Sequence, residues 1–258
     1  MCCELHVDAP LVDVWWRRLA AAYGEAHRHY HTMRHLEELI ELLDAHGTAA
    51  GVKDRVAIEL AVFFHDAVYD CFAGISPGAN ERQSAALFER FAGDVALRAD
   101  LRAKVCAWIL MTIDHRVDAD ADVDVRFFMD IDMSILGKPW VRYEEYSAQV
   151  LAEYAYMWPP LLWIGRRRFL RSAAAVPAST GAVPTVFATA LFRDKLGYEE
   201  RAHINAAREA DALGTRVAVL CAPPLVLVLG AAHLALLPDG RVGTALALAL
   251  AAARAAAR

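Results

Sequence analysis

The chain lacks the residues that would build a disulfide framework, a sheet or a basic nucleic-acid surface. Its five cysteines, Cys2, Cys3, Cys71, Cys106 and Cys221, show no CxxC spacing and no regular pattern over 258 residues. That usage fits a reducing compartment, with Cys106 a small core residue. The formal net charge of −5 provides no global basic field, so nucleic acid is not an expected partner and any phosphate binding must be local. Period-two alternation never persists and no hairpin signal occurs, which argues against a sheet-based fold. Neither a dinucleotide glycine fingerprint nor a Walker loop is found, so neither cofactor class is expected. The opening MCCELHVDAP carries an acid and no apolar run, and no signal peptide is expected there.

What the chain does contain is helix-like apolar sequence, with 57% apolar residues inflated by alanine. Asp8 and Pro10 open a predicted helix that runs to Gly24. Leu36, Leu39, Ile40, Leu42 and Leu43 give the next one an apolar face and Gly47 a stop; it either includes His31 or is capped by Thr32. DRVAIELAVFFHDAVYD reads as a buried helix whose end carries His65 and Asp66. NERQSAALFERFAG, VALRADLRAKVCAWILMTIDH, VRFFMDIDMSILG, PWVRYEEYSAQVLAEYAYM, LLWIGRRRFLR and TVFATALFRDKLGYEERAHINAAREA supply the rest. The expectation is an all-α domain over residues 8–212 with a flexible insertion at 172–184. Residues 213–258 form an apolar Ala/Leu-rich extension. Within it, 217–237 is uncharged over about the length of a bilayer core. It is expected to be either a C-terminal membrane anchor on a cytoplasmic domain or an alanine-rich tail.

Candidate chemistry lies in the first half. YHTMRHL carries His31 and His35, FFHDAVYD carries His65 and Asp66, and FMDIDMSILG carries Asp132. Imidazoles and carboxylates are a hard-to-borderline donor set, suited to a divalent first-row metal that polarises a phosphate oxygen and acidifies water. A buried His-Asp pair is costly unless both polar groups are satisfied, which a metal does directly and a hydrogen-bonded core also can. Asp118, Asp120, Asp122 and Asp124 mimic a calcium loop but lack its glycine and terminal glutamate, and read as a solvated acidic loop.

In this order the residues resemble the signature of the HD superfamily of metal-dependent phosphohydrolases: His, His-Asp, Asp on a helical scaffold. The chain is more closely similar to uncharacterised HD proteins with YHNxxH, HDxVYD, NEExSA, TxxH and DxDLxILG motifs. These stand here as YHTMRH (30–35), HDAVYD (65–70), NERQSA (80–85), TIDH (112–115) and DIDMSILG (130–137). Tyr143/Tyr146, Glu153-Tyr154 and Gly165-Arg166 fit the second half of that family. The resemblance covers roughly residues 8–210 and implies an HD-domain helical bundle.

It also implies metal ligands at His35, His65, Asp66 and Asp132. Asp130 competes for the last place, since residues two apart on a helix cannot face one ion. Asp132 is preferred because it precedes the apolar pair through which this helix packs in the superfamily; Asp130 is then an acceptor that orients a ligand histidine. His31 matches the leading histidine of the cyclic-nucleotide phosphodiesterase run, which protonates the leaving oxygen, although Thr32 replaces the Asn of that run; a packing role is the alternative. Asp70 would hold water or act as acid or base, or be a helix-terminal carboxylate. Asn80 and Glu81 would line the pocket, with Asn80 equally an N-cap. His115 would bind a second metal, contact substrate or simply end a helix. Arg166, in the cluster 166–168, is the arginine expected on a phosphate.

The implied activity is metal-dependent hydrolysis of a small phosphorylated substrate, a nucleotide or phosphomonoester or diester, with Asp66 orienting the water. Mn²⁺, Mg²⁺, Zn²⁺, Co²⁺ and Fe²⁺ all suit the donors. The rival readings are a di-iron oxygenase on the same site and a nucleotide-binding regulator without turnover.

Overall fold

The computed structural model describes residues 8–71, 78–118, 120–173 and 186–221. Among them the chain is all helix, with no strand. The expected tail beyond residue 221 and most of the 172–184 insertion lie outside the described residues. No described helix is long and apolar enough to cross a membrane. The chain divides into two compact units, one of residues 1–154 and 185–203, the other of 155–184 and 204–258.

In the first unit, α1 (Ala9–Tyr23) begins after Asp8 with Pro10 in its first turn, where the missing N–H costs nothing. Helix α2 (Met33–Ala50) starts after Thr32, so His31 precedes it. Its end is Gly51 at φ 82°, one turn beyond Gly47. Helix α3 (Arg55–Phe64) is the central element, packed against α2, α4 (Ala79–Asp94), α5 (Ala99–Met111) and α6 (Val123–Asp132). Its Ile58, Leu60, Ala61, Val62 and Phe64 are almost wholly buried, as an apolar circumference demands. Trp15, Phe64, Phe88 and Phe91 join α1, α3 and α4 through ring contacts of 5.0–6.2 Å.

Asp124 is buried at 1% exposure and not part of a solvated acidic loop. Its carboxylate accepts the Lys53 and Asp54 amides at 2.7 and 3.0 Å, while Asp54 in turn caps α3 through the Ala57 amide. One carboxylate thus fixes the start of α3 against the start of α6.

The predicted helix through HDAVYD stops at Phe64. Beyond it, distant side chains take the backbone groups that a helix would use. Arg28 donates to the Asp66 and Ala67 carbonyls at 2.7 and 3.2 Å. Ser84 Oγ accepts the Val68 amide and donates to the Val68 carbonyl, and Asn80 exchanges the same pair of bonds with Asp70. The NERQSA motif of α4 therefore holds the chain after the His-Asp pair in a non-helical path of turns and bends.

A tight helical turn, Met133–Gly137, follows α6 and leads to α7 (Trp140–Glu153). After the undescribed segment, a wide turn at Leu191–Lys195 precedes α9 (Tyr198–Cys221). In the second unit α8 (Pro159–Ala173) packs through Trp163 and Leu170 on Ala206, Ala210 and Leu213 of α9. Across the same contact Arg166 pairs with Glu209 at 3.1 Å and Arg167 donates to the Ala210 carbonyl.

Gly137 explains the end of DIDMSILG. A Cβ there would stand 2.6 Å from Tyr198 Cδ1 and 2.7 Å from the Tyr198 carbonyl oxygen, while Arg201 Nε donates to the Gly137 carbonyl at 2.6 Å. Gly137→Ala is expected to lower stability by about 1–3 kcal/mol through overpacking, measured by urea unfolding. Gly93→Ala, in α4 with nothing within 4 Å of the added carbon, is expected to be neutral or stabilising. Equal effects of the two would contradict this packing.

Candidate metal centre

Three helix ends deliver the donors. His35 sits in the first turn of α2, His65 directly follows α3, and Asp132 is the last residue of α6. The His35 and His65 Nε2 atoms lie 3.3 Å apart, and Asp132 Oδ1 is 3.3 Å from each. Atoms so spaced lie roughly 1.9 Å from the centre of their triangle, just inside metal–nitrogen and metal–oxygen bond lengths of about 2.0–2.2 Å. His35, His65 and Asp132 could together hold a metal ion. His65 Nδ1 donates to the Val62 carbonyl at 2.9 Å, which directs the lone pair of Nε2 at the triangle. His35 Nδ1 has no hydrogen-bond partner among the described residues.

Asp66 and His115 complete the cluster. Asp66 Oδ2 is 3.1 Å from His65 Nε2 and 3.9 Å from His35 Nε2. His115 Nε2 donates to Asp132 Oδ2 at 2.9 Å, which leaves Oδ1 for the triangle. The His115 backbone is left-handed, φ 53°, a strained conformation for a non-glycine residue that persists only where its surroundings impose it. The His35 and His65 side chains are 1% exposed, whereas His31, Asp66, Asp132 and His115 are 18%, 17%, 10% and 26% exposed. The two imidazoles form a closed floor and the other four groups an open rim.

Electrostatics follow from that arrangement. Burial opposes charge at His35, His65, Asp66 and Asp132. At His65 the Asp66 and Asp132 carboxylates overcome it and raise the imidazole well above its ordinary pKa. At His35 burial prevails and the pKa falls. Burial also opposes ionisation of Asp66 and Asp132, yet the facing imidazoles hold both carboxyls below their usual range.

His31 is built into a second constellation centred on Glu153, the last residue of α7. Glu153 Oε1 accepts the backbone amides of His29, Tyr30 and His31 at 2.8–2.9 Å. Its Oε2 accepts His31 Nδ1–H at 2.8 Å and the Tyr69 hydroxyl at 3.2 Å. The His31 ring stacks on Tyr69 at 4.1 Å, and its Nε2 faces Asp66 Oδ2 at 3.8 Å. Arg28, 5% exposed, ties this loop to the His-Asp segment by donating to the His31 and Asp66 carbonyls. No local pattern in the sequence marks the role of Arg28 or Tyr69. The resemblance named Glu153 without a role, and its only local sign was an acid at the end of an amphipathic helix.

The remaining candidates are placed differently. The Asp130 carboxylate accepts the Ala188 and Thr189 amides and the Thr189 hydroxyl, so it ties the 186–190 segment to α6 rather than orienting a histidine. Burial pushes its carboxyl up to about 6 against those donors. Asp70 is exposed, and the Asn80 amide is engaged with its backbone. Glu81 lies in the first turn of α4. Arg166 belongs to the second unit, paired with Glu209.

Burial opposes the Glu153 charge, but the His31 ring and the backbone amides bring its carboxyl from an ordinary 4.5 down to about 2. A depressed carboxylate contributes stability that is complete above about pH 4.5 and is lost as the pH falls through about 2, a linked term of about 3 kcal/mol. Glu153→Gln is expected to be less stable than wild type near neutral pH, with the gap closing across that acid range in urea titrations. A gap independent of pH would contradict the assignment.

Compared with protein-family models, characterised proteins and solved structures, the chain gives no match in any of the three.

Proposed function

We propose that this chain is a metal-dependent phosphohydrolase of the HD type, acting on a small phosphoester such as a nucleotide. The observation that supports this best is the meeting of His35 Nε2, His65 Nε2 and Asp132 Oδ1 at 3.3 Å spacing beneath an open rim that carries His31 and Asp66. In this reading Asp66 Oδ2, at 3.1 Å from His65 Nε2, is the fourth ligand. Two imidazoles and two carboxylates suit Mn²⁺, Mg²⁺, Zn²⁺, Co²⁺ or Fe²⁺. A divalent ion bound there supplies Lewis-acid polarisation of a phosphate oxygen and acidifies water for attack.

The chain's own groups do the rest. Glu153 fixes the His31 proton at Nδ1, so Nε2 is the atom that faces the rim and can give a proton to a departing alkoxide. Burial opposes the imidazolium, but the Asp66 and Glu153 carboxylates outweigh it and raise its pKa. Asp66, while ligating through Oδ2, would orient the attacking water, which must approach phosphorus opposite the oxygen that His31 protonates. His115 steers Asp132 by holding its outer oxygen. A cavity of about 380 Å³ lined by His115, Arg116, Asp118, Met129, Met133 and Val186 shares only His115 with this cluster, and has room for the organic part of a substrate that reaches past that residue.

Phosphate release over a panel of nucleotides and simple phosphoesters, with divalent ions added singly, tests the reading. Wild type is expected to turn over at least one substrate. Asp66→Ala should lose activity, and His31→Gln should keep its metal while kcat falls by about 10²–10⁴-fold. No release from any substrate by metal-loaded protein, or wild-type rates in His31→Gln, would overturn it.

A further inference from the structure

The second unit differs in charge from the rest of the chain. Residues 155–184 and 204–258 contain nine arginines, no lysine and three carboxylates, a formal charge of +6 that leaves −11 on the remaining residues. One of those carboxylates, Glu209, is engaged with Arg166.

Helix α8 has two faces. Trp163, Arg166, Arg167 and Leu170, at helical spacing, turn toward α9. Leu161, Ile164, Arg168 and Arg171 share the opposite side at i, i+3, i+7 and i+10. Leu161 and Ile164 are 55% and 50% exposed, and Trp158, just ahead of the helix, is 65% exposed. Arg168 and Arg171 are exposed as well. An exposed stripe that begins with tryptophan and aliphatic side chains and ends in arginines offers on one side the two residue classes that a membrane-surface helix uses, although here they follow one another along the helix. In such a helix the apolar residues enter the headgroup boundary and the cations meet lipid phosphates. Arginine in particular forks onto phosphate oxygens.

We propose that the outer face of α8, Trp158, Leu161, Ile164, Arg168 and Arg171, docks the protein on an anionic membrane surface. A nucleic acid would use the arginines but leave the apolar residues without a purpose. A second copy of the chain would bring the same +6 unit against itself. An anionic bilayer satisfies both halves of the stripe. The proposal is independent of the phosphohydrolase reading. It is also separate from the uncharged run at 217–237, which is left unchanged in the variants below.

Flotation of the full chain with phosphatidylcholine vesicles, with and without phosphatidylglycerol, provides the test. Wild type is expected to prefer anionic over neutral vesicles, and to do so less at high salt. The double variant Arg168→Glu, Arg171→Glu should reduce that preference about tenfold or more, and Leu161→Gln with Ile164→Gln should weaken anionic binding to a similar degree. All four positions are exposed, and unchanged helical circular dichroism verifies folding. Four results would overturn the proposal: no vesicle binding by wild type, equal binding to both vesicle types, wild-type preference in both double variants, or capture of a short oligonucleotide in place of vesicles.

Discussion

Two buried imidazoles and a carboxylate that meet at 3.3 Å form a contact that the rest of the first unit works to maintain. Without a cation such an arrangement concentrates polar atoms where burial opposes every charge. The fold answers with two fixed hydrogen bonds, from His65 to the Val62 carbonyl and from His115 to the outer oxygen of Asp132, and with an aromatic cluster around Phe64 that holds α3 in place. The starts of α3 and α6 are tied together by buried Asp124, and the turn that follows α6 is packed through Gly137 beneath Tyr198, which helps bring the far ends of α3 and α6 to one point.

A second layer of order lies around His31. This residue precedes α2 and so has no helix to orient it. Glu153 supplies the missing constraint by gathering three consecutive amides and the imidazole on one carboxylate, and Arg28 joins the same loop to the carbonyls beyond His65. Single carboxylates and a single guanidinium therefore fix both the backbone and the side chains of the rim. Buried polar networks of this kind are costly to satisfy only in part.

Much of this was legible from the chain alone. Apolar periodicity marked the helices, the order of histidines and aspartates marked His31, His35, His65, Asp66 and Asp132, and the preference for Asp132 over Asp130 came from the family resemblance. The structure brings three of these, His35, His65 and Asp132, within reach of one ion. What could not be read were features set by distant partners. The helix predicted through His65 and Asp66 stops at Phe64 because Arg28, Ser84 and Asn80 take the next backbone groups. Asp124 looked like part of a solvated acidic run, yet it is buried under two amides from another loop. Glu153 resembles any acid on an amphipathic helix until the fold brings residues 29–31 to it.

The most direct measurement of the central claim is metal content per chain after equilibrium dialysis with single divalent ions, for wild type and for His35→Gln, His65→Gln and Asp132→Asn. Wild type is expected to hold at least one ion tightly, and each variant to lose it with helical content retained. Wild type that binds no ion, or variants that load as wild type does, would contradict it.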